Sequence, residues 1–386
     1  MSLSKKIKVY LIAGEPSGDL LGSRLMRALR QKSDVDFCGV GGDTMQQEGL
    51  TSLFDISELA VMGLAEVIPS IPNVLRRIRQ TVNDIVQQRP DVVVTIDSWS
   101  FCSRVHKALR KLNTGIKQIH YVAPQVWAWK KRRAKTMYKY VDELLTLLPN
   151  EPQYFTPHHL KTEFVGHPVI ESPVLSANGD DFRKTHNIPQ QKQIISILPG
   201  SRHNEVCRLL PDFLKAARIL YEQNHDMFFV LPTVKTVAQR VKNMIKDCDL
   251  PLLVVDTEAE RYGAFKASSA AIAASGTVAL ELAMSHIPHI IAYKISPLTY
   301  LLAKNLVKIK YVNLTNIMLD RLVVPELLQN ECTPQNIADH ITDLLKHSSS
   351  YDEQMQGFND VKQYLSNGNQ TPSLCAADNI LKVIKC

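Results

Sequence analysis

The chain has 386 residues, 45% of them hydrophobic and 22% charged, with a net charge of +7. That composition excludes a disordered chain, and the length favours two cores over one. Seven cysteines lie scattered without CxxC or Cys/His spacing, against a zinc site or disulfide framework and in keeping with a reducing cytosol. No run reaches the roughly 18 apolar residues of a membrane span. The short N-terminal apolar run Val9–Ala13, followed at once by Glu15 and Asp19, does not fit a signal peptide. The modest positive charge permits anionic ligands or an anionic membrane surface without singling out nucleic acid.

In chain order, Ile7–Ala13 predicts a strand that turns directly into a helix striped by Leu20, Leu21, Leu25 and Leu29. The turn carries Gly14, Glu15, Ser17, Gly18 and Asp19. It is not GxGxxG, and its two carboxylates would repel a pyrophosphate. They suit sugar hydroxyls instead, although helix capping by Ser17 or Asp19 accounts for them equally well. Asp36–Val40 is a second strand. Leu59–Arg79 combines apolar residues (among them Val67, Ile68, Ile71 and Leu75) with Arg76, Arg77 and Arg79. Pro69 and Pro72 argue against one continuous helix there. Core packing is the commoner role for such a stripe; an anionic membrane interface or acyl chains are the alternative.

Asp91–Asp97, after Pro90, predicts a buried parallel strand ending in a carboxylate. Such an acid faces the crevice where ligands bind, as a general base or as a cap for the next helix. Lys117–Val122 leads into WAWKKRR, an aromatic and cationic segment suited to anionic headgroups or RNA. Strands at Glu143–Leu148 and Glu163–Val165 complete a doubly wound first domain over 1–168.

The second domain, 169–386, begins its sheet at Ile194–Leu198. There Pro199-Gly200-Ser201-Arg202 places a guanidinium between a strand end and a helix start, a position suited to a phosphate. Strands follow at Met227–Leu231, Leu252–Val255 and Ala270–Ala274. The last meets Ser275-Gly276-Thr277, a second helix-start anion site, with Glu281 one turn on and placed for ribose hydroxyls or simply solvent. Two such sites favour a nucleotide diphosphate over a lone phosphate. No Walker A loop is present, and the Asp-x-Asp triplets Asp34/Asp36 and Asp247/Asp249 read as solvated turns. The stretch Leu306–Glu331 has no clear periodicity; Asn316, Arg321 and Glu326 are its candidates to reach the ligand, and the last helix can cross back onto the first domain.

Two Rossmann-like doubly wound α/β domains facing a cleft, with nucleotide sites in the second and an acid in the first, describe a GT-B type glycosyltransferase. Nearly end to end the chain resembles the lipid A disaccharide synthase family, through AGEPSGDLLG, ELAVMGLAEV, PDVVVTID, IHYVAPQVWAWKKRR, FVGHP, LPGSRHNEV, ASGTVALEL, YVNLTNIM and VPELLQ in shared order. The resemblance implies transfer of 2,3-diacylglucosamine from UDP to 2,3-diacylglucosamine 1-phosphate, forming a β(1→6) disaccharide by single displacement. It places Asp97 as the base, and Glu15, Ser17 and Asp19 beside the reacting sugars. Arg202 falls at the UDP diphosphate, Ser275, Gly276, Thr277 and Glu281 in the UDP segment, and Asn316 at a polar position of the same site. It implies no metal or other cofactor, and makes Val67, Ile68, Ile71, Leu75, Arg76 and Arg77 the expected contact with acyl chains and the anionic inner membrane. The protein would then be cytoplasmic and peripheral on that membrane. A homodimer stays open, since no pattern here specifies one.

One departure stands out. The family usually has Asp-x-Pro-Asp-Phe after the central strand, whereas this chain has Asp97-Ser98-Trp99-Ser100-Phe101. The base remains and a nearby carboxylate is gone. The nearest rival is another GT-B enzyme on UDP-GlcNAc-type substrates, such as a 2-epimerase. A non-catalytic membrane- or RNA-binding module is more distant.

Overall fold

A computed structural model describes residues 6–59, 64–124, 126, 131–274, 276–295, 310–368 and 370–385, the side chains of 64–70 and 131 excepted. The described chain divides into two compact units, residues 1–168 with 365–386, and residues 169–364.

In the first unit, β1 (Ile7–Ala13) leads into α1 (Pro16–Lys32), and β2 (Val35–Val40) into the short α2 (Asp43–Gln47). Then come α3 (Leu64–Gln88), β3 (Val92–Ile96), α4 (Trp99–Lys111), β4 (Lys117–Tyr121), α5 (Ala134–Met137), β5 (Glu143–Thr146) and β6 (Lys161–Phe164). The sheet is parallel, in the order β2-β1-β3-β4-β5-β6. Alternation along β1 explains the two layers of helices, because successive side chains of a strand face opposite sides. Val9, Leu11 and Ala13 pack with Leu21, Leu25 and Leu29 of α1 and with Ala376 and Ile380 of the C-terminal helix Pro372–Lys385. Tyr10 and Ile12 point the other way, to Ile78, Val82 and Ile85 of α3 and to Phe101, Val105 and Leu109 of α4. The C-terminal helix thus belongs to the first unit, where Lys32 of α1 pairs with Asp378 at 3.1 Å.

One element departs from expectation. Leu64–Gln88 is a single helix of 25 residues, in spite of Pro69 and Pro72. Each interior proline costs a helix about 3 kcal/mol and one hydrogen bond. Both precede its midpoint, and the buried anchors Ile78, Val82 and Ile85 lie beyond them. Tertiary packing of the second half therefore carries the helix through a sequence signal for a break.

The second unit contains α6 (Gly179–Thr185), β7 (Gln193–Leu198), α7 (His203–Gln223), β8 (Met227–Pro232), α8 (Lys235–Met244) and β9 (Leu252–Val255). It continues with α9 (Glu258–Ala267), β10 (Ala270–Ala273), α10 (Thr277–Met284), β11 (His289–Tyr293) and β12 (Glu326–Leu328). Its sheet is again parallel, ordered β12-β11-β10-β7-β8-β9. Ile195 and Ile197 of β7 face Leu209, Leu210 and Phe213 of α7 and Ile337 and Ile341 of the helix Pro334–Leu345. Ile194 faces Phe182, Ala264 and Ala267 on the opposite side. No helix among the described residues is long and apolar enough to cross a membrane.

Candidate active site

In each sheet the chain reverses direction once across the first strand. β2 lies on one side of β1 and β3 on the other; β8 lies on one side of β7 and β10 on the other. The loops leaving such a strand pair diverge to opposite faces and open a crevice at the strands' carboxyl ends. The β1–α1 and β3–α4 loops meet at the first of these points, the β7–α7 and β10–α10 loops at the second.

At the first, Asp97 and Ser98 follow β3 with φ of 53° and 42°, consecutive left-handed residues without glycine's tolerance. The Asp97 N–H donates to Tyr121 O at 2.9 Å, which fixes the turn to β4. Burial raises the Asp97 pKa above its usual value, and a hydrogen bond from the Ser98 N–H only partly opposes that. Gly14 lets the β1–α1 loop come in close: a Cβ there would stand 2.7 Å from Ser98 Oγ. Burial raises the Cys102 thiol, and the negative charges of Asp97 and, less, Glu15 raise it further; Glu15 is exposed at the N-cap of α1. Ser17 is exposed beside Glu15.

Beneath Asp97 lies a polar network that sequence reasoning missed. Thr95 Oγ1 is 2.8 Å from His106 Nε2 and 2.6 Å from His120 Nδ1, and His106 Nδ1 is 2.9 Å from Gln118 Oε1. Because the Gln118 carbonyl can only accept, His106 Nδ1 carries the proton. Thr95 then donates to His106 Nε2 and accepts from His120 Nδ1. Burial holds both rings neutral, with the His106 pKa pushed down to about 4. The Trp99 ring lies 4.6 Å from His120 and stacks on Tyr140 at 6.1 Å, so the residue that replaces the expected proline is firmly seated. The members are 11 to 25 residues apart, and no local pattern joins them.

Asp19 stands apart from this pair. It is buried, and its carboxylate accepts from the N–H groups of Gly42 (2.7 Å), Thr44 (2.9 Å) and Met45 (3.1 Å) and from the Thr44 hydroxyl (2.7 Å). It caps α2 across space. This corrects the catalytic expectation: both oxygens are committed to backbone that would otherwise lose its partners.

At the second switch point, Gly200 turns with φ +107° and Gly276 with φ +136°. Arg202 is the N-cap residue of α7 and its side chain is 63% exposed, open to a ligand. Glu205 steadies it, taking Arg202 Nη1 at 3.2 Å and the Tyr293 hydroxyl at 3.0 Å on the same oxygen. Gly276 is the N-cap of α10, and Gly276 and Thr277 are exposed. Ser275 lies outside the described residues. Glu281 pairs with Arg261 at 3.7 Å and accepts from the Tyr262 hydroxyl at 3.3 Å, an arrangement linking α10 to α9. Glu205, Arg261 and Tyr293 were not anticipated; for Glu205 the available signal was its place one turn after Arg202.

Asn316 is fully buried and wholly used inside its own loop. Its Nδ2 donates to Val324 O and Glu326 Oε1 (2.8 Å each), and its Oδ1 accepts from Val323 (2.8 Å) and Val324 (2.9 Å). It shapes the loop and offers no polar atom to a ligand, which corrects its expected contact. Arg321 instead pairs with Asp360 at 2.7 Å, and Glu326 takes the N–H groups of Val312 and Asn313.

On α3, Ile71 and Leu75, one helical turn apart, are 47% and 45% exposed. Arg76 extends beside them, whereas Arg77 is held by Glu58 and Gln80 over the Phe54 ring and is withdrawn from the expected surface contact. The side chains of Val67 and Ile68 lie outside the described residues, as do Trp127, Trp129 and Lys130 of the aromatic-basic segment.

Comparison with known proteins decides between family readings. The family model described as "Lipid-A-disaccharide synthetase" matches residues 9–380. The chain belongs to this family. A lipid-A-disaccharide synthase from Rhodospirillum centenum is 46% identical over 382 residues, covering 98% of this chain and 95% of that one. One from Pseudomonas aeruginosa is 36% identical over 382 residues, covering 98% of both. Among solved structures, UDP-GlcNAc 2-epimerase from Neisseria meningitidis, bound to UDP-GlcNAc, superposes with a TM-score of 0.68 at 12% identity, over 97% of this chain and 100% of that one. Acinetobacter baumannii MurG gives 0.57 at 14%, covering 98% and 99%. At such identities the likeness is one of fold, and the fold is GT-B. As a member of the lipid-A-disaccharide synthetase family the chain is a glycosyltransferase of lipid A biosynthesis.

Proposed function

We propose that this enzyme transfers 2,3-diacylglucosamine from its UDP ester to the 6-hydroxyl of 2,3-diacylglucosamine 1-phosphate. The observation that carries this reading is the pairing of chemistries at the two switch points: a carboxylate of raised pKa at one, an arginine with glycine-built helix starts at the other. Asp97 takes the acceptor hydroxyl proton as that oxygen bonds to the donor's anomeric carbon. The anomeric carbon's bond to UDP breaks in the same displacement, inverting the configuration. Arg202 and the amino ends of α7 and α10 meet the charge that grows on the departing diphosphate. We assign no metal to this step. Glu15 and Ser17 orient the sugars.

The apolar pair Ile71 and Leu75, with Arg76, is assigned to peripheral contact with an anionic membrane, where the substrates' acyl chains reside. The inner face of the cytoplasmic membrane is the proposed location.

The test is incubation of the protein with both diacyl substrates in detergent containing EDTA, following UDP and disaccharide phosphate by mass spectrometry. Product from the wild type, insensitive to EDTA and reduced roughly several-hundredfold by Asp97→Ala, supports the reading. Product that vanishes with EDTA would overturn the metal-free step. Epimerised UDP-GlcNAc in the absence of any acceptor would favour the 2-epimerase rival.

A further inference from the structure

A concave feature of the first unit is lined by Trp99 and Ser100, just after Asp97 in the chain, and the reaction as described does not use it. It is a groove of about 480 Å³ between α4 and the segment 132–140. Its walls carry Arg104, Lys107, Arg132 and Arg133, and among the described residues no carboxylate lines it. Ser100, Ser103, Arg104 and Lys107 recur at the spacing that puts them on one stripe of α4. Farther along the same helix, Arg110 is paired with Asp142 at 2.8 Å. By contrast, Arg104, Lys107 and Arg132 have no carboxylate partner among the described residues; Arg104 reaches only Ser100 O at 3.3 Å. The floor is rigid: Tyr140 and Trp99 are stacked and buried, and Lys107 Nζ stands 5.0 Å over the Tyr140 ring.

Arg104, Lys107 and Arg132, gathered in one concavity, repel each other unless an anion joins them. Guanidinium forks flanked by the Ser103 and Thr136 hydroxyls match a tetrahedral oxyanion with several acceptor oxygens. Ser100, where the family usually has an aspartate, puts no negative charge on the groove's lining. It stands three residues beyond Asp97 in the chain. We infer that this groove binds the phosphomonoester of the acceptor sugar, an inference that rests on the acceptor assigned above. Asp97 then serves the hydroxyl end of the acceptor and the groove its phosphate end.

The full chain carrying Arg104→Gln, Lys107→Gln and Arg132→Gln together tests this, beside Lys235→Gln as a control for lost surface charge. N-acetylglucosamine 1-phosphate and N-acetylglucosamine serve as soluble probes by calorimetry, and acceptor KM is measured in neutral detergent. The phosphorylated probe should bind the wild type and the control, and weaken at least about tenfold in the triple variant, the worth of one charge-assisted hydrogen bond. Acceptor KM should rise by a similar factor with donor KM unchanged. Equal probe binding, or an unchanged acceptor KM, overturns the inference. It is also overturned if the variant loses only its binding to phosphatidylglycerol vesicles, which would assign the groove to bulk lipid headgroups. If the wild type makes no disaccharide yet binds the phosphorylated probe through these residues, the acceptor reading fails and the phosphomonoester site stands.

Discussion

The two switch points share one topology and solve the turn after the strand in opposite ways. In the first unit the left-handed residues are Asp97, the proposed base, and Ser98, both in conformations that disfavour a side chain. In the second they are Gly200 and Gly276, which bring no side chain at all. A strained turn with side chains suits a group that must act on a proton at a fixed place. A glycine turn leaves backbone N–H groups bare, so that a bulky anion can come up against them. On the proposed function, one fold would thus supply a base from its side chains and an anion site from its backbone.

The sharpest way to break this contrast is at Asp97. Asp97→Asn should keep the turn and remove the base, lowering kcat by roughly two to four orders of magnitude with little change in thermal midpoint. In the wild type, the acid limb of kcat/KM should lie above the ordinary carboxylate value of 3.8, because burial favours the protonated form and the base works only when ionised. That limb should be absent from the residual activity of the asparagine variant. An unchanged limb would move the base elsewhere, Glu15 being next.

How much of this was legible in sequence depends on how far apart the interacting residues lie. β3 and β7 announce themselves as short β-branched runs ending in turns, and both loops of the second switch point are local motifs. The loops that carry Glu15 and Asp97 are neighbours because β1 and β3 pair, which the alternation of strands and helices implies. Asp19 was ambiguous because its partners, Gly42 to Met45, lie more than twenty residues on and belong to another helix's start. Asn316 looked like a ligand for the same reason: its partners Val323 to Glu326 close a loop with no periodic signal. β12 has only three residues, at the sheet edge, too few to show alternation. The continuity of α3 was hidden by prolines whose cost is met by burial further along the helix.

Stability separates Asp19 from the site it adjoins. Asp19→Ala would strand the Gly42 and Met45 N–H groups in buried surroundings, a loss of about 2–4 kcal/mol. The expected result is a lower thermal midpoint with kcat and both KM values unchanged below it. A loss of kcat at full stability would restore Asp19 to catalysis. The buried histidines act in the same register. His106 has a folded pKa of about 4, below its ordinary 6.5, so the unfolded chain binds the extra proton between those values. Stability should therefore fall as pH drops from about 6.5 to about 4, by roughly 3 kcal/mol for this residue. His106→Gln should flatten that part of a midpoint-against-pH curve.

Gly276→Ala tests the other side of the contrast. No described residue lies within 4 Å of the added methyl, and the effect is expected from φ +136°. The turn should shift, raising donor KM by about tenfold while acceptor KM stays put, for a conformational cost of about 1–3 kcal/mol. Gly200→Ala adds a clash with Glu205, whose carboxylate would stand 2.5 Å from the new carbon, and should be worse on both donor KM and stability.

The smallest effect belongs to Glu205, and it is the one that shows whether Arg202 is positioned or merely present. Arg202 is largely exposed, and an exposed ion pair contributes little to folding, about 0–1 kcal/mol. On the proposed mechanism its partner would act by keeping the guanidinium from sweeping solvent before the donor arrives. In Glu205→Gln the amide oxygen still accepts from Tyr293, but the charge that holds Arg202 is gone. Donor KM should rise about two- to fivefold, within that energy range, with kcat and thermal midpoint nearly constant. Arg202→Lys should cost more, because the ammonium cannot offer two parallel bonds to a diphosphate. If Glu205→Gln leaves donor KM unchanged while Arg202→Lys raises it, the arginine finds the diphosphate without a guide. The glycine-built backbone would then organise the second switch point by itself.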